Sequence, residues 1–560
     1  MNISKKDWWK DAVVYQIYPK SFQDSKGDGI GDIKGITNRL EYIKDLGANV
    51  IWICPVYESP MDDNGYDISD YYSIDPIFGK NEDMEELIKK ADKLGIKILM
   101  DLVINHTSDE HEWFKKALKD PNGKYADYYI FKEGVNGQPP NNWRSYFGGT
   151  AWEKIEGINR YYLHAFTKKQ PDLNWENKEV REELYKMINY WLEKGIGGFR
   201  IDAICNIKKD YQEGIFKSDG EDGLCFIGNW ILNQPGIEDF LTELSNRTFK
   251  VHNSMTVAEA NVPEHLLNKF IGEDGFFSMV FDFSYTDIDV PDTGEWFKPT
   301  DWSIKMLRDN IFKSQLDVQK RGWGALYLEN HDQPRSLNKY LPKEEINYYS
   351  KTMLASMFML MRGTPFIYQG QEIGMTNIEM DSMNDYDDIA THDQYKRALQ
   401  SGLSHEEAFN HMIRRSRDNS RTPMQWDKSK NAGFSDSDRV WLMVNQNYKE
   451  INVDDQLKDS KSVLSFYKKL INLRNKSIYS EVLINGVFNP FNIDNDYIIA
   501  YKRILGDNEV LVINSFSNKN IEILLDNKWK EKILSNYCDF KLENDKYMLR
   551  PYETVILSNY

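Results

Sequence analysis

The chain has 560 residues, too many for one ordinary domain, and 41% of them are apolar, enough for a large core. A formal net charge of −17 with no basic tract excludes nucleic acid and anionic membrane as partners. Four scattered cysteines (Cys54, Cys205, Cys225, Cys538) exclude a disulfide framework and have no metal-type spacing. The start of the chain has no apolar leader and no apolar run is long enough to span a bilayer, so a cytoplasmic protein is the expectation.

Strand-like and helical runs alternate. Residues 12–22 (AVVYQIYPKSF) read as a first strand and 33–47 as a first helix, closed by Gly47. Strand 49–57, helix 81–95 and strand 96–104 follow. From about 107 to 175 the chain is irregular and rich in Gly, Asn, Trp and Tyr. That is too long for an ordinary connection, so it predicts an inserted subdomain over a barrel mouth. Alternation resumes with helix 177–195, strand 198–203, helix 237–252, strand 255–260, helix 263–271 and strand 277–283. Helix 303–319, strand 324–330, helix 346–361 and strand 363–369 complete the series. Eight strands with helices between them predict an α/β fold, a closed (β/α)8 TIM barrel. A polar, charged stretch at 376–420 precedes a last helix near 462–476. Beyond 483, short alternating runs such as 497–502 and 510–514 predict a C-terminal antiparallel β domain. The expected division is a catalytic barrel of 1–106 and 176–482, subdomain 107–175, a small subdomain 376–420 within the barrel domain, and C-terminal domain 483–560.

Four strings end strand-like runs on polar residues: Asp101-Leu-Val-Ile-Asn-His106, Gly198-Phe-Arg-Ile-Asp202, Thr256-Val-Ala-Glu259 and Asn330-His331-Asp332. Strand ends of a barrel converge on one mouth, so Asp202, Glu259 and Asp332 would share a pocket. A pair of carboxyls there is the equipment of glycoside hydrolysis. Arg200 lies two residues before Asp202 and so on the same strand face, where its charge can keep that carboxylate ionised. Glu259 is flanked by Val and Ala, a setting that raises a carboxyl's pKa as a general acid requires. A single Asp at a strand end is as often a loop cap; four such strings on the right strands are not. Aromatic residues at 13%, with 15 Trp and 33 Tyr, suit a sugar-binding cleft, although core packing must account for most of them.

These strings resemble the four signature regions of the α-amylase superfamily, glycoside hydrolase family 13, over nearly the whole chain. Gln170-Pro-Asp-Leu-Asn174 resembles a fifth signature in its oligo-1,6-glucosidase form. Asn64-Gly-Tyr-Asp-Ile-Ser-Asp70, Phe366-Ile-Tyr-Gln-Gly370 and Ser420-Arg-Thr-Pro-Met-Gln-Trp426 are further matches. The resemblance implies a retaining exo-α-glucosidase acting on short oligosaccharides such as maltose or isomaltose, with no organic cofactor. It implies Asp202 as nucleophile, Glu259 as acid/base and Asp332 as transition-state stabiliser. Arg200, His106, His331 and Gln170 would surround the sugar, and Tyr66, Asp67 and Arg421 would line the dead end of the pocket. Asp67 and Arg421, as an opposite-charge pair, would bind the terminal glucose. Phe147 and Phe166 are candidates for pocket walls or for the core of the subdomain.

Departures from the family pattern bear on ions and on linkage. Asp24, Asp28, Asp32 and the Ile30 carbonyl resemble a divalent-cation loop for Ca2+ or Mg2+. Where the family carries Asn, this chain has Lys26, whose ammonium can take a cation's place. Ala203 follows the nucleophile where Val accompanies α-1,6 preference, so α-1,4 and α-1,6 activity both stay open. Trehalose-6-phosphate hydrolysis would need a basic cluster, for which Lys208, Lys209 and Lys339 are the candidates. Sucrose isomerisation would go with an arginine-rich segment, and 281–289 contains no Arg. A non-catalytic barrel subunit would have lost the carboxylates that this chain retains.

Overall fold

Alternation along eight short strands divides their side chains between two cores. Val14, Trp52, Leu99, Val257, Met279 and Phe366 belong to one buried cluster inside the ring of strands. Tyr15, Ile51, Ile98, Ile201 and Ile367 belong to a larger cluster that includes the surrounding helices. The structure, a computed structural model, describes residues 7–291, 293–529, 531–539 and 545–560. The first six residues of the N-terminal stretch, and short parts of 483–560, lie outside the described residues.

The strands are β1 (Val14–Ile17), β2 (Val50–Ile53), β3 (Lys97–Val103), β4 (Gly198–Asp202), β5 (Met255–Ala258), β6 (Met279–Val280), β7 (Ala325–Leu326) and β8 (Thr364–Tyr368). They pair in parallel in the order β6-β5-β4-β3-β2-β1-β8-β7. A parallel bridge from Val280 to Gly324 brings the two ends of that order together, closing the barrel. Gly198 opens β4 at φ 148°, and a Cβ there would stand 1.8 Å from the Met255 carbonyl oxygen. Only glycine lets β4 and β5 approach this closely.

Several elements differ from expectation. β6 and β7 have only two residues each, shorter than the expected 277–283 and 324–330. The expected 33–47 helix breaks at Arg39 into Ile33–Asn38 and Leu40–Leu46. The polar stretch 376–420 contains two helices, Ile389–Gln400 and His405–Arg415, started by the side chains of Asp388 and Ser404.

The inserted segment builds a small antiparallel sheet from Phe131–Glu133, Arg160–Leu163 and Trp152–Lys154. It is fastened on two sides. Leu173 N donates to the Asn105 carbonyl, and Trp175 Nε1 donates to that of Ile104, both at the end of β3. Opposite, Cys225–Phe226 from the segment after β4 pairs in parallel with Trp143–Arg144. Arg144 reaches the same segment through Asp222 at 3.0 Å and through Asp219.

Five antiparallel strands form the C-terminal sheet in the order Val487–Pro490, Ile498–Leu505, Asn508–Ser515, Thr554–Ser558, Glu531–Ser535. Arg503 welds this sheet to the barrel. Its guanidinium is fully buried and donates to the carbonyls of Leu360, Met361, Leu483, Ile484 and Gly486 at 2.5–3.2 Å. These carbonyls close helices Tyr348–Met359 and Ser480–Asn485, where the helix dipole favours a cation. Arg503→Leu strands them in an apolar site, so urea denaturation should show a loss of about 3 kcal/mol or more.

Candidate active site

Arg200 and Asp202 project from β4 into the barrel mouth, and Asp101 lies beside Arg200 in register on β3. The Arg200 side chain, 1% exposed, is the hub. Its Nη1 donates to Asp101 Oδ1 at 2.8 Å and to Asp202 Oδ1 at 2.7 Å. Its Nη2 pairs with Glu259 Oε1 at 2.8 Å. Trp52 lies over the guanidinium at 5.3 Å and donates its Nε1–H to Asp101 Oδ2. Three carboxylates are thus offset by one permanent charge.

Glu259 stands directly after β5, and its amide bonds the Ile201 carbonyl at 2.9 Å. Ala203, directly after Asp202, takes a left-handed φ of 43°. That turn aims its N–H at Glu259 Oε2, 3.0 Å away. A non-glycine residue at positive φ stores strain of the kind found at functional sites. Burial raises Glu259 to about 7, with Arg200 opposing and the charges of Asp202 and Asp332 adding to the rise. Burial also pushes Asp202 above its ordinary value against the pull of Arg200. The value stays at about 6 because Arg200 opposes burial, so Asp202 is ionised at neutral pH.

Asp332 sits in a cationic cradle. Arg421 Nη2 lies 2.8 Å and Arg417 Nη1 3.2 Å from its Oδ1, and His331 Nε2 lies 2.9 Å from its Oδ2. Burial would raise Asp332, but these neighbours outweigh it and hold the carboxyl well below the usual range. His331 Nδ1 accepts from Gln16 Nε2 at 2.9 Å, which assigns the proton to Nε2, facing Asp332 and the Tyr66 hydroxyl. Tyr66 stacks on His331 at 5.4 Å and donates to Asp101 Oδ2.

Most expected site residues converge. Gln170 Nε2 lies 3.2 Å from both the Tyr66 carbonyl and His106 Nε2. Phe166 packs 5.1 Å from His106 and 5.7 Å from Phe147, and Arg417 covers the Phe147 ring at 5.3 Å. His106 and His331 are buried with both ring nitrogens engaged, His106 with Asn105, Gln170 and the Tyr66 carbonyl. Asp67 is also buried, and its oxygens accept from Ser59 Oγ and the amides of Asp62 and Asp63. Among the described residues no ion pair joins Asp67 to Arg421. Asp63, four residues earlier, pairs with Arg417 at 3.3 Å.

Sequence reasoning missed Asp63, Asp388 and Arg417. Asp388 bonds Arg417 Nε at 2.7 Å and fixes it between Asp63 and Asp332. The available signal was helical spacing, since Arg417 and Arg421 are four residues apart and fall on one face.

The candidate cation loop spends its oxygens on the chain itself. Asp24 accepts the amides of Lys26, Gly27 and Gly29 and the Ser435 hydroxyl. Asp32 accepts Ser25 N and Oγ, and Gly35 N as the cap of helix Ile33–Asn38. Asp28 accepts the Ile30 amide, and Lys26 Nζ reaches Asp28 at 3.3 Å and the Ile77 carbonyl at 2.5 Å. Among the described residues no group of three or more acidic, His or Cys side chains is arranged to hold a metal ion. These donors do not fit a divalent cation.

The family profile described as "Alpha amylase, catalytic domain" matches residues 16–485, and "Alpha-amylase SusG C-terminal domain" matches 498–556. The chain belongs to the alpha-amylase family. It is a glycoside hydrolase. It is 44% identical to the oligo-1,6-glucosidase of Parageobacillus thermoglucosidasius over 98% of each chain. It is 39% identical to the trehalose-6-phosphate hydrolase of Bacillus subtilis over 99% of each. The crystal structure of Bacillus licheniformis trehalose-6-phosphate hydrolase superposes with a TM-score of 0.90 at 40% identity, covering 98% of this chain and 99% of that one. That of isomaltulose synthase from Klebsiella sp. LX3 gives 0.92 at 36% identity, with the same coverage.

With Glu259 as general acid and Asp202 as nucleophile, the roles the resemblance implies, the two raised carboxyls would set the pH dependence of this hydrolase. A general acid must start protonated, so kcat/KM falls as pH rises through about 7, the value of Glu259. A nucleophile must start ionised, so activity also falls on the acid side, at a pH above the ~4 of an ordinary aspartate. The profile of kcat/KM should be a narrow bell. In Glu259→Gln, assayed with an aryl glucoside whose leaving group needs no proton, the alkaline limb should vanish. An unchanged alkaline limb would assign it to another group.

Proposed function

We propose that this glycoside hydrolase is a retaining exo-α-glucosidase, releasing glucose from the non-reducing end of short α-1,4- or α-1,6-linked oligosaccharides. The observation that carries this reading is the shared guanidinium. Asp202 and Glu259 sit on the two terminal nitrogens of Arg200, at 2.7 and 2.8 Å. That arrangement favours the separation of about 5–5.5 Å used in retention over the wider gap of an inverting pair. Glu259 protonates the glycosidic oxygen while Asp202 attacks the anomeric carbon, forming a glycosyl-enzyme. The Glu259 carboxylate then takes a proton from water as that water displaces Asp202. Asp332, kept ionised by Arg417 and Arg421, stabilises the positive charge that develops on the sugar.

The exo mode is supported by the oligo-1,6-glucosidase relatives and by the linked contacts of Gln170 with Tyr66 and of Arg417 with Asp63 and Asp332. The phosphate alternative loses its lysines. Lys209 is paired with Asp172 at 2.9 Å and Lys208 with Glu176. Lys339 donates to the Thr286 carbonyl and to Gln333, and burial pulls it down to about 7. Initial rates on maltose, isomaltose, sucrose, trehalose and trehalose 6-phosphate should be highest on the first two. Early digests of maltopentaose should contain only glucose and maltotetraose. Maltotriose at the same early time would mean an open cleft.

We also propose that Lys26 stands in place of a loop cation. Chelator should then leave the melting temperature and activity unchanged. Because Lys26 and Asp28 are both more than a third exposed, Lys26→Met should cost under about 1 kcal/mol in urea denaturation. A melting temperature that drops with chelator and recovers with Ca2+ would restore the metal reading.

A further inference from the structure

A cavity of about 420 Å3 lies where the two-stranded ribbon of Tyr57–Glu58 and Asp70–Ile74 meets helix Lys178–Glu193 and the start of helix Glu112–Lys119. That volume falls in the ~300–1,000 Å3 range of small-ligand sites. None of the catalytic carboxylates lines it. Two of its own carboxylates face each other across the ribbon, since Glu58 pairs with Asp70 in antiparallel register. Like charges placed directly opposite destabilise a strand pair unless a cation offsets them. Among the described residues neither carboxylate meets a lysine or an arginine. Asp70 accepts the Tyr72 amide and the Ser73 hydroxyl, and the Glu58 side chain has no hydrogen bond. The remaining carboxylates of the cavity, Glu110, Glu112 and Glu183, have lysines of their own at 3.1, 3.7 and 2.9 Å.

A buried histidine supplies an independent sign of a ligand. His111 is 6% exposed and lines the same cavity. Its Nδ1 accepts the Trp113 amide at 3.1 Å as the cap of helix Glu112–Lys119. Burial lowers the ring to about 4, against the pull of Asp70, so it is neutral at pH 7. A neutral imidazole whose Nδ1 accepts carries its proton on Nε2. Among the described residues nothing accepts from that Nε2–H. A nearly buried donor left unmade is unfavourable, so the cavity calls for an oxygen acceptor beside His111 as well as a cation beside Glu58 and Asp70. The rings of Trp113 and Tyr71 lie 4.5 and 5.6 Å from that of His111, and aromatic faces suit an ammonium and its methylenes. A metal ion meets neither demand, because a protonated Nε2 cannot ligate, and no three acidic, His or Cys side chains among the described residues converge to hold one. An amino acid would bring a carboxylate into a cavity already lined by five. A plain alkylamine would leave His111 without an acceptor.

We infer that this cavity binds a small hydroxylated amine, with its ammonium between Glu58 and Asp70 and its hydroxyl oxygen accepting from His111 Nε2. The inference does not rest on the function proposed above. The bound amine would lie one side chain from the catalytic mouth, because Tyr71, on the cavity wall, donates its hydroxyl to the Val103 and His106 carbonyls at 2.9 and 3.1 Å.

Ethanolamine, the smallest molecule with both groups, is the probe. Saturation-transfer NMR on the full-length protein should show it binding, with ethylamine (no oxygen) and ethylene glycol (no charge) each at least fivefold weaker. Glu58→Gln removes one charge from an exposed side chain, and His111→Asn removes the Nε2–H while keeping an oxygen to cap the helix. Each variant should weaken ethanolamine at least fivefold. Glu58→Gln should leave kcat/KM for nitrophenyl α-glucoside unchanged, which separates the amine site from the catalytic pocket. Absence of ethanolamine binding, or binding that both variants leave unaltered, overturns the proposal. Ethylamine binding as tightly as ethanolamine overturns it too, since His111 would then have no part in recognition.

Discussion

The site depends on one guanidinium. Asp101, Asp202 and Glu259 converge in a space from which water is largely excluded, and three such carboxyls would suppress one another's ionisation. Arg200 meets all three within 2.8 Å and cannot lose its proton. Asp202 shares Nη1 with Asp101, while Glu259 has Nη2 and an amide. Glu259 is raised even so, because burial and the charges of Asp202 and Asp332 outweigh those contacts. Removing Arg200 would leave uncompensated buried charge, a change that costs about 3–5 kcal/mol when one partner of such a pair is lost.

A second cationic tier does for Asp332 what Arg200 does not do for Asp202. Arg417 and Arg421 come from the 376–420 insertion and from the turn that follows it, and both converge on a carboxyl after β7. Asp388 and Asp63 hold Arg417 in place from two different loops. The insertion therefore belongs to the site's electrostatics. It places a positive charge beside the Asp332 carboxyl, which is held ionised.

The parts legible in the sequence were those with a period or a terminus. Eight alternating units predicted the barrel, and strand-end strings predicted that Asp202, Glu259 and Asp332 would meet. The brevity of β6 and β7 was not legible, because apolar runs such as 277–283 continue past the residues that pair. Nor was the choice of charge partner. Asp63 and Asp67 are both acidic and four residues apart, and only the turn between them decides that Asp67 accepts two amides while Asp63 faces Arg417. The partners of His106 and His331 were hidden for a related reason, since a histidine's second-nitrogen partner is set by tertiary contacts. In the ion loop, Lys26 was a visible departure, but its reach to Ile77 depends on a segment fifty residues away.

The subdomain over the mouth is anchored at the end of β3 and, through Cys225–Phe226 and Arg144, to the segment that leaves β4. The subdomain is thus tied to the chain on both sides of β4, the strand that ends in Asp202, so a substitution that loosens either attachment is felt at that strand's neighbours.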